Sequence, residues 1–227
     1  MTSHWDLGAL KNKVVATQAG DTKELVDLIY AMGRYQQIFE YHKCLARDAF
    51  AAFSTDSGPD QLKFLTHAFG CVSPEEQGTL EHARLVSEAN LLACIGITRS
   101  AFDSFGELLN RLVLPVPLNG KVYVHTVRDK LPSGELKDSL DSALSASWFT
   151  YVSDFSNVSK HRALIGHTPS ASYIDDNQGG KVASFTYENR GKPRTHPSYW
   201  TKEILEGTIE VWRSLVLCGL ALNRHYI

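Results

Sequence analysis

The sequence predicts a mainly all-α protein, a bundle of long antiparallel helices with one small β-hairpin inserted at about residues 172–187. Three observations predict this class. Apolar residues recur at steps of three and four over four long segments, which is the spacing of an amphipathic helix. Stretches rich in proline and glycine separate those segments. One region alternates its residues at a period of two, as strands do. The 227-residue chain is 43% hydrophobic, so we expect one helical domain over residues 1–227.

The first two predicted helices have recognisable starts. Asp21 can cap a helix over residues 22–54, because its carboxylate can accept from the free N–H groups of the first turn. Ser73 and Pro74 are a start signal for a second helix over residues 75–112. Its predicted buried seam alternates steps of four and three, as in nearly antiparallel bundle helices: Leu91, Ile95, Thr98, Phe102, Phe105, Leu109 and Leu112.

A connecting loop and a third helix follow. Residues 113–132 contain three prolines and are expected to cross the bundle as an ordered loop, with an extended piece at 121–127. Ser133 can cap a helix over residues 134–165, whose apolar residues repeat on one face.

The chain then changes period. Two strand-like runs flank Asp176 to Gly180. This pattern predicts a hairpin over residues 172–187, with its turn at residues 176–180. A loop rich in basic residues at 191–197 leads to a last helix over residues 199–224.

Composition excludes several classes of function. The formal net charge of -2 argues against a chain-wide electrostatic footprint for nucleic acid or anionic lipid. No apolar stretch reaches the roughly 20 residues that span a bilayer, and the N-terminus is not typical of a secretory signal. The four cysteines show no metal-ligand or redox-dithiol spacing. We therefore expect a cytoplasmic protein that does not associate with a membrane and binds neither a cofactor nor a metal ion.

The chemistry is concentrated around the end of the third predicted helix. Asp154, Asn157 and His161 share one face at i, i+3 and i+7, Arg162 lies one step round, and His167 follows shortly after. Histidine can transfer a proton near neutral pH, and arginine can hold a phosphate while charge develops on it. Together they suit metal-free phosphodiester chemistry.

The spacing of Arg162 and His167, with four residues between them at the end of a long helix, resembles the Arg-x4-6-His signature of the HEPN superfamily. The resemblance implies a homodimeric, metal-independent ribonuclease of the toxin or antiviral defence type, which cleaves RNA through attack by the 2'-hydroxyl. It implies that His167 is the general acid or base and that Arg162 orients the phosphate. The residue after the arginine is usually polar in active members, and here it is Ala163. A second match to the spacing, Arg190 and His196, lies outside the predicted helices.

Further residues are assigned to this predicted site. Asn157 and Asp154 are expected to orient the acting groups, and His161 competes with His167 for the proton transfer. Three cations are expected to attract the RNA backbone: Lys160, Arg190 and Arg194. Residues 154–202 hold seven Lys or Arg against four acids, a local excess of three positive charges. Aromatic residues interleave with them and can stack on bases or pack the hairpin: Tyr173, Phe185, Tyr187, Tyr199 and Trp200.

Two other interpretations stay open. Lys160 to Arg162 can simply cap the negative end of the helix dipole, in which case the chain is a non-catalytic binding or regulatory module. Its basic hairpin region would then contact a regulatory protein or a nucleotide.

A charged stripe at four-residue spacing is expected to be a solvated face held by i, i+4 pairs: Arg99, Asp103, Glu107 and Arg111.

Overall fold

The structure, a computed structural model, describes residues 4–18, 21–55, 58–174, 176–189 and 191–227. Over these residues the chain forms eight α-helices: α1 Leu7–Thr17, α2 Lys23–Asp48, α3 Gln61–Ala68, α4 Pro74–Leu112, α5 Val124–Lys130, α6 Glu135–Ser145, α7 Ser147–His161 and α8 Thr201–Tyr226. A 3-10 turn lies at Ala51–Phe53. The strands of the same described residues are β1 Ser54–Thr55, β2 Gly58–Pro59, β3 His167–Ser172, β4 Asn177–Val182, β5 Phe185–Asn189, β6 Lys192–His196 and β7 Tyr199–Trp200. The mainly α-helical class is confirmed. In this part of the chain, no helix combines the length and apolar character needed to cross a bilayer.

Three of the four predicted long helices are present as α2, α4 and α8. The bounds of α4 and α8 lie within two residues of the expected ones, whereas α2 ends at Asp48, six residues before the predicted end at residue 54. Asp21 accepts a hydrogen bond from the backbone N–H of Lys23 at 2.9 Å, so it satisfies a free N–H of the first turn. The N-cap position itself is one residue later than predicted, because the carbonyl of Thr22 accepts the first intrahelical hydrogen bond, from Val26. At the start of α4, Glu76 Oε2 accepts from the backbone N–H of Ser73 at 3.0 Å, so the two residues form a reciprocal cap. The predicted seam of α4 is buried from Leu91 to Leu109.

The third predicted helix, 134–165, is wrong in its extent. The chain breaks at Ala146, which is extended (ψ 140°), and so forms α6 and α7 instead of one helix. After the break Phe149 is buried and Trp148 is half-buried, while Val152 and Phe155 are buried further along α7. Ser133 does not cap α6, since Gly134 occupies the N-cap position. The extended piece predicted at 121–127 is also wrong, because α5 begins at Val124.

The β region contains two hairpins in place of the predicted one. β3 pairs with β4, β4 also pairs with β7, and β5 and β6 form a separate two-stranded sheet. The expected turn at Asp176–Gly180 is wrong, because Gly179 and Gly180 lie inside β4. A Cβ on Gly180 would lie 2.5 Å from the His167 ring. This glycine therefore permits a close approach between neighbouring elements and does not mark a turn.

The chain divides into two compact units. The first unit comprises Met1–Phe39, Gly96–Ser153 and Thr208–Ile227, and the second comprises Glu40–Ile95 and Asp154–Gly207. Aromatic pairs build the core of the first unit: Trp5 with Phe105, Phe39 with Trp212, and Phe102 with Phe149. The second unit holds all the described strands and a cluster of Phe53, Phe64, Leu80 and Ala83. The polar residues predicted around the end of the third helix belong to this second unit.

The charged stripe of α4 lies in the first unit. Arg99 donates to Asp103 at 2.8 Å and Arg111 donates to Glu107 at 2.6 Å, so the predicted i, i+4 pairs are confirmed. Arg99 also lies over the ring of Phe149, 6.0 Å from its centroid. Because these cations are already paired with carboxylates, the stripe stabilises its helix.

Candidate functional site

The candidate site is formed by one face of the β5–β6 hairpin and the C-terminal end of α7. Phe185 pairs with His196 and Tyr187 with Arg194 across the two strands, so these four side chains share one face of the hairpin. The ring of Phe155, on α7, meets Phe185 edge-on with 5.6 Å between centroids. Phe185 and His196 are also stacked, at 4.8 Å. These aromatic contacts place the basic hairpin against the helix end.

A buried carboxylate lies at the centre of this contact. The Asp154 side chain on α7 is only 1% exposed. Arg194 donates to it through two nitrogens, Nη2 to Oδ1 at 2.6 Å and Nε to Oδ2 at 2.8 Å. His196 Nε2 donates to Oδ2 at 2.9 Å. Three hydrogen bonds from one strand therefore compensate the desolvation of a single carboxylate.

The site also carries cations that lack a carboxylate partner. Most described arginines are paired with a carboxylate: Arg47, Arg84, Arg99, Arg111, Arg128, Arg194 and Arg224. Arg162 is exposed, and its side chain makes no hydrogen bond or ion pair within the described part of the chain. Its guanidinium lies 5.7 Å from the centroid of the Tyr187 ring, and that of Arg194 lies 6.0 Å from the same centroid. Two guanidinium groups thus converge on one aromatic ring.

One lysine extends this positive region. Lys192 is exposed and lies two residues from Arg194, which places it on the same side of β6. Lys160 is also exposed, but it lies two residues before Arg162 at the end of α7, and this spacing does not put the two side chains on one helix face. We call the three residues Arg162, Lys192 and Arg194 the basic surface.

His167 occupies a different environment. It lies in β3, 6% exposed, whereas the sequence places it just after a helix end. Its Nε2 is 3.0 Å from Thr201 Oγ1 and 3.2 Å from Ser87 Oγ. Burial, and then the positive charge of Arg84, lowers the pKa of His167 to about 4. The imidazole is therefore neutral at physiological pH. Two hydroxyl groups lie at its Nε2, and its Nδ1 is buried without a hydrogen-bond partner among the described residues.

The remaining predicted site residues are dispersed. His161 ends α7 and is exposed beside Arg162, and Asn157 is half-buried one turn earlier. The structure brings Arg162 and Arg194 together at Tyr187 and connects Arg194 to Asp154, but no contact between described residues joins Arg162 to His167. Arg190 lies outside the described residues.

Sequence reasoning missed the central pairing of the site. Arg194 was expected to attract RNA and Asp154 to orient a histidine, but their ion pair joins residues 40 positions apart. His196 appeared only in the second match to the arginine–histidine spacing. The available signal was the alternation of β6, which puts Arg194 and His196 on one face. Of the interleaved aromatic residues, Phe185 and Trp200 are buried and pack the fold, while Tyr173 is exposed.

Comparisons with protein-family models, with curated proteins and with solved structures find no match to this chain. In the described part of the chain, no three His, Cys, Asp or Glu side chains are grouped in a way that would hold a metal ion. Functional assignment therefore depends on the geometry of the basic surface and its neighbours.

Proposed function

We propose that this protein is an RNA-binding module that holds the phosphate backbone on the basic surface. The observation that carries the proposal is the convergence of Arg162 and Arg194 on the Tyr187 ring. Arginine binds phosphate through parallel hydrogen bonds, and an unpaired, exposed guanidinium is available for this contact. Lys192 extends the positive charge to a neighbouring phosphate, and Lys160 adds a further cation at the end of α7. The overall charge of -2 confines such binding to this region.

Fluorescence anisotropy with a labelled single-stranded RNA tests this proposal. We expect Arg162→Ala to weaken binding about tenfold at low salt. The slope of log affinity against log salt concentration should fall by about 0.7, because one phosphate contact on a single strand is lost. Arg213→Ala, at an exposed arginine of α8, is the matched control and should bind like the wild type. Wild-type protein without measurable RNA affinity would exclude this function.

A second candidate function is the HEPN-like ribonuclease, and the exposure of His161 directly beside Arg162 favours it. In this proposal His161 transfers the proton, because His167 is enclosed and neutral. This proposal also includes the homodimer that the resemblance implies and the antiparallel arrangement of the helices. Two copies supply proton transfer at both the attacking and the leaving oxygen, which a single Arg and His cannot do.

Incubation of RNA with the protein in the presence of a metal chelator tests the cleavage. Attack by the 2'-hydroxyl breaks the bond to the 5'-oxygen, so the products carry a 2',3'-cyclic phosphate and a 5'-hydroxyl. We expect His161→Ala to remove this activity while the folded protein still binds RNA. Unchanged cleavage in His161→Ala, or RNA left intact by the wild type, contradicts the ribonuclease proposal.

A further inference from the structure

We propose that Asp154 is the positioning residue of the basic surface: its carboxylate docks the β5–β6 hairpin on α7 and turns Arg194 toward the ligand. This inference rests on the proposed RNA binding and names the residue on which the geometry of that site depends.

The hairpin needs such an anchor because it lacks support from other strands. In the described residues, β5 and β6 pair only with each other. An isolated two-stranded hairpin is at best marginally stable in water. Its position against α7 therefore depends on the side chains of its inner face.

Asp154 is the polar centre of that inner face. Its three hydrogen bonds come from Arg194 and His196, both on β6. A buried carboxylate without partners is strongly disfavoured, so the docked hairpin and the buried carboxylate stabilise each other. Two further contacts, Phe155 with Phe185 and Arg162 with Tyr187, are aromatic and less directional.

The geometry of the ion pair also orients Arg194. The guanidinium uses Nε and Nη2 for Asp154, which leaves Nη1 without a hydrogen bond to any described residue. The side chain is 43% exposed, so this third nitrogen is accessible to a ligand. The hydrogen bond from Arg194 to Asp154 raises the pKa of the guanidinium, which stays cationic. One edge of the guanidinium is thus fixed to the protein, and Nη1 is left for a ligand at the ring that Arg162 also contacts.

This arrangement predicts that removing a negative charge near the basic surface weakens RNA binding. Electrostatics alone says that removing a negative charge beside a phosphate site strengthens binding. The positioning role predicts weaker binding. Without the Asp154 carboxylate, Arg194 loses its fixed orientation and the hairpin loses its anchor. The two explanations are therefore separated by the direction of one measured change.

The experiment compares RNA affinity in four proteins: wild type, Asp154→Asn, Arg194→Ala and the double variant. We expect Asp154→Asn and Arg194→Ala each to weaken binding about tenfold and to lower the salt slope equally. The double variant should bind no more weakly than either single one, because both changes remove the same contact. Binding by Asp154→Asn that equals or exceeds that of the wild type overturns the proposal.

Hydrogen exchange without RNA separates this inference from the proposed function. We expect the amides of residues 185–196 to exchange faster in Asp154→Asn and to remain protected in the control Asp103→Asn. If the wild type binds no RNA, the proposed function fails, and unchanged protection in Asp154→Asn overturns the positioning role independently. Arg194→Lys tests the same geometry if Asp154→Asn does not fold. Lysine keeps the charge but cannot hold the carboxylate with two nitrogens and present a third, so we expect the same loss of affinity as in Arg194→Ala.

Discussion

Two buried polar centres of the second unit differ in their hydrogen-bond partners. Both oxygens of Asp154 accept hydrogen bonds, whereas Nδ1 of His167 is buried without a hydrogen-bond partner among the described residues. Asp154 is a carboxylate whose partners are the cationic Arg194 and the imidazole of His196. His167 is an imidazole whose partners are the hydroxyl groups of Ser87 and Thr201. Arg194 extends from the first centre to the surface, whereas the second centre is enclosed.

This difference separates a structural histidine from a group that can take part in recognition. A buried charge needs a counter-charge, and a long cationic side chain such as arginine can provide one while its far end stays in water. A buried neutral group needs only neutral partners, and these keep it away from solvent. The proposed RNA binding therefore involves the Asp154 centre, whereas His167 is buried within the second unit.

The largest expected effect concerns acid stability at the His167 centre. The folded-state pKa of about 4 lies below the ordinary value of 6.5, so the unfolded chain binds the proton more readily. The free energy of unfolding therefore has its full value above about pH 6.5. It decreases by about 3 kcal/mol as the pH falls toward 4. Urea unfolding of wild type and His167→Gln across this range measures the contribution. Parallel pH profiles for the two proteins would show that His167 does not titrate in this way.

A somewhat smaller effect is expected at the Asp154 centre. Asp154→Ala should lower the free energy of unfolding by about 2 kcal/mol, because hydrogen bonds to a charged donor are lost while Arg194 can turn into water. Asp103→Ala removes an ion-paired aspartate that is 42% exposed and should cost less than about 0.5 kcal/mol. Chemical denaturation of both variants makes the comparison. Equal losses would remove the distinction between the buried and the exposed pair.

The smallest expected effect concerns the aromatic ring between the two guanidinium groups. Tyr187→Leu should lower the free energy of unfolding by about 1 kcal/mol, since two cation–π contacts are lost while apolar volume is retained. Tyr187→Phe keeps the ring and should match the wild type within about 0.5 kcal/mol. Thermal unfolding of the pair measures the difference. A larger loss in Tyr187→Phe than in Tyr187→Leu would show that the hydroxyl, and not the ring, stabilises the site.

The sequence predicts the long helices well because their apolar seams are long. It does not indicate α1, which buries only Leu10 and Val14 and so shows too little periodicity. It also extends α7 too far. Ile165 continues the apolar spacing and is buried, but it lies in the coil that leads into β3. Periodicity records burial, and a coil residue can be buried as readily as a helical one.

The sequence predicts several residues of the candidate site but not how they are arranged. Asp154 and Arg162 are recognisable as part of a polar cluster, and Arg194 as part of a basic region. Their arrangement depends on the pairing of β5 with β6, which turns one face of a short strand toward α7. The local spacing of Arg162 and His167 carries no information about that pairing. Gly180, which the sequence predicts as a turn residue, instead makes room for the ring of His167.

The separate pairing of β5 and β6 has an evolutionary consequence. The hairpin is attached to the helix by side chains, so its tip can be lengthened, shortened or exchanged without altering the register of β3, β4 and β7. Asp154 then acts as a fixed receptor on which alternative hairpins can be selected, provided that each carries an arginine two residues before a histidine. Under the proposed RNA binding, ligand preference can diversify in such a lineage while the helical body stays unchanged.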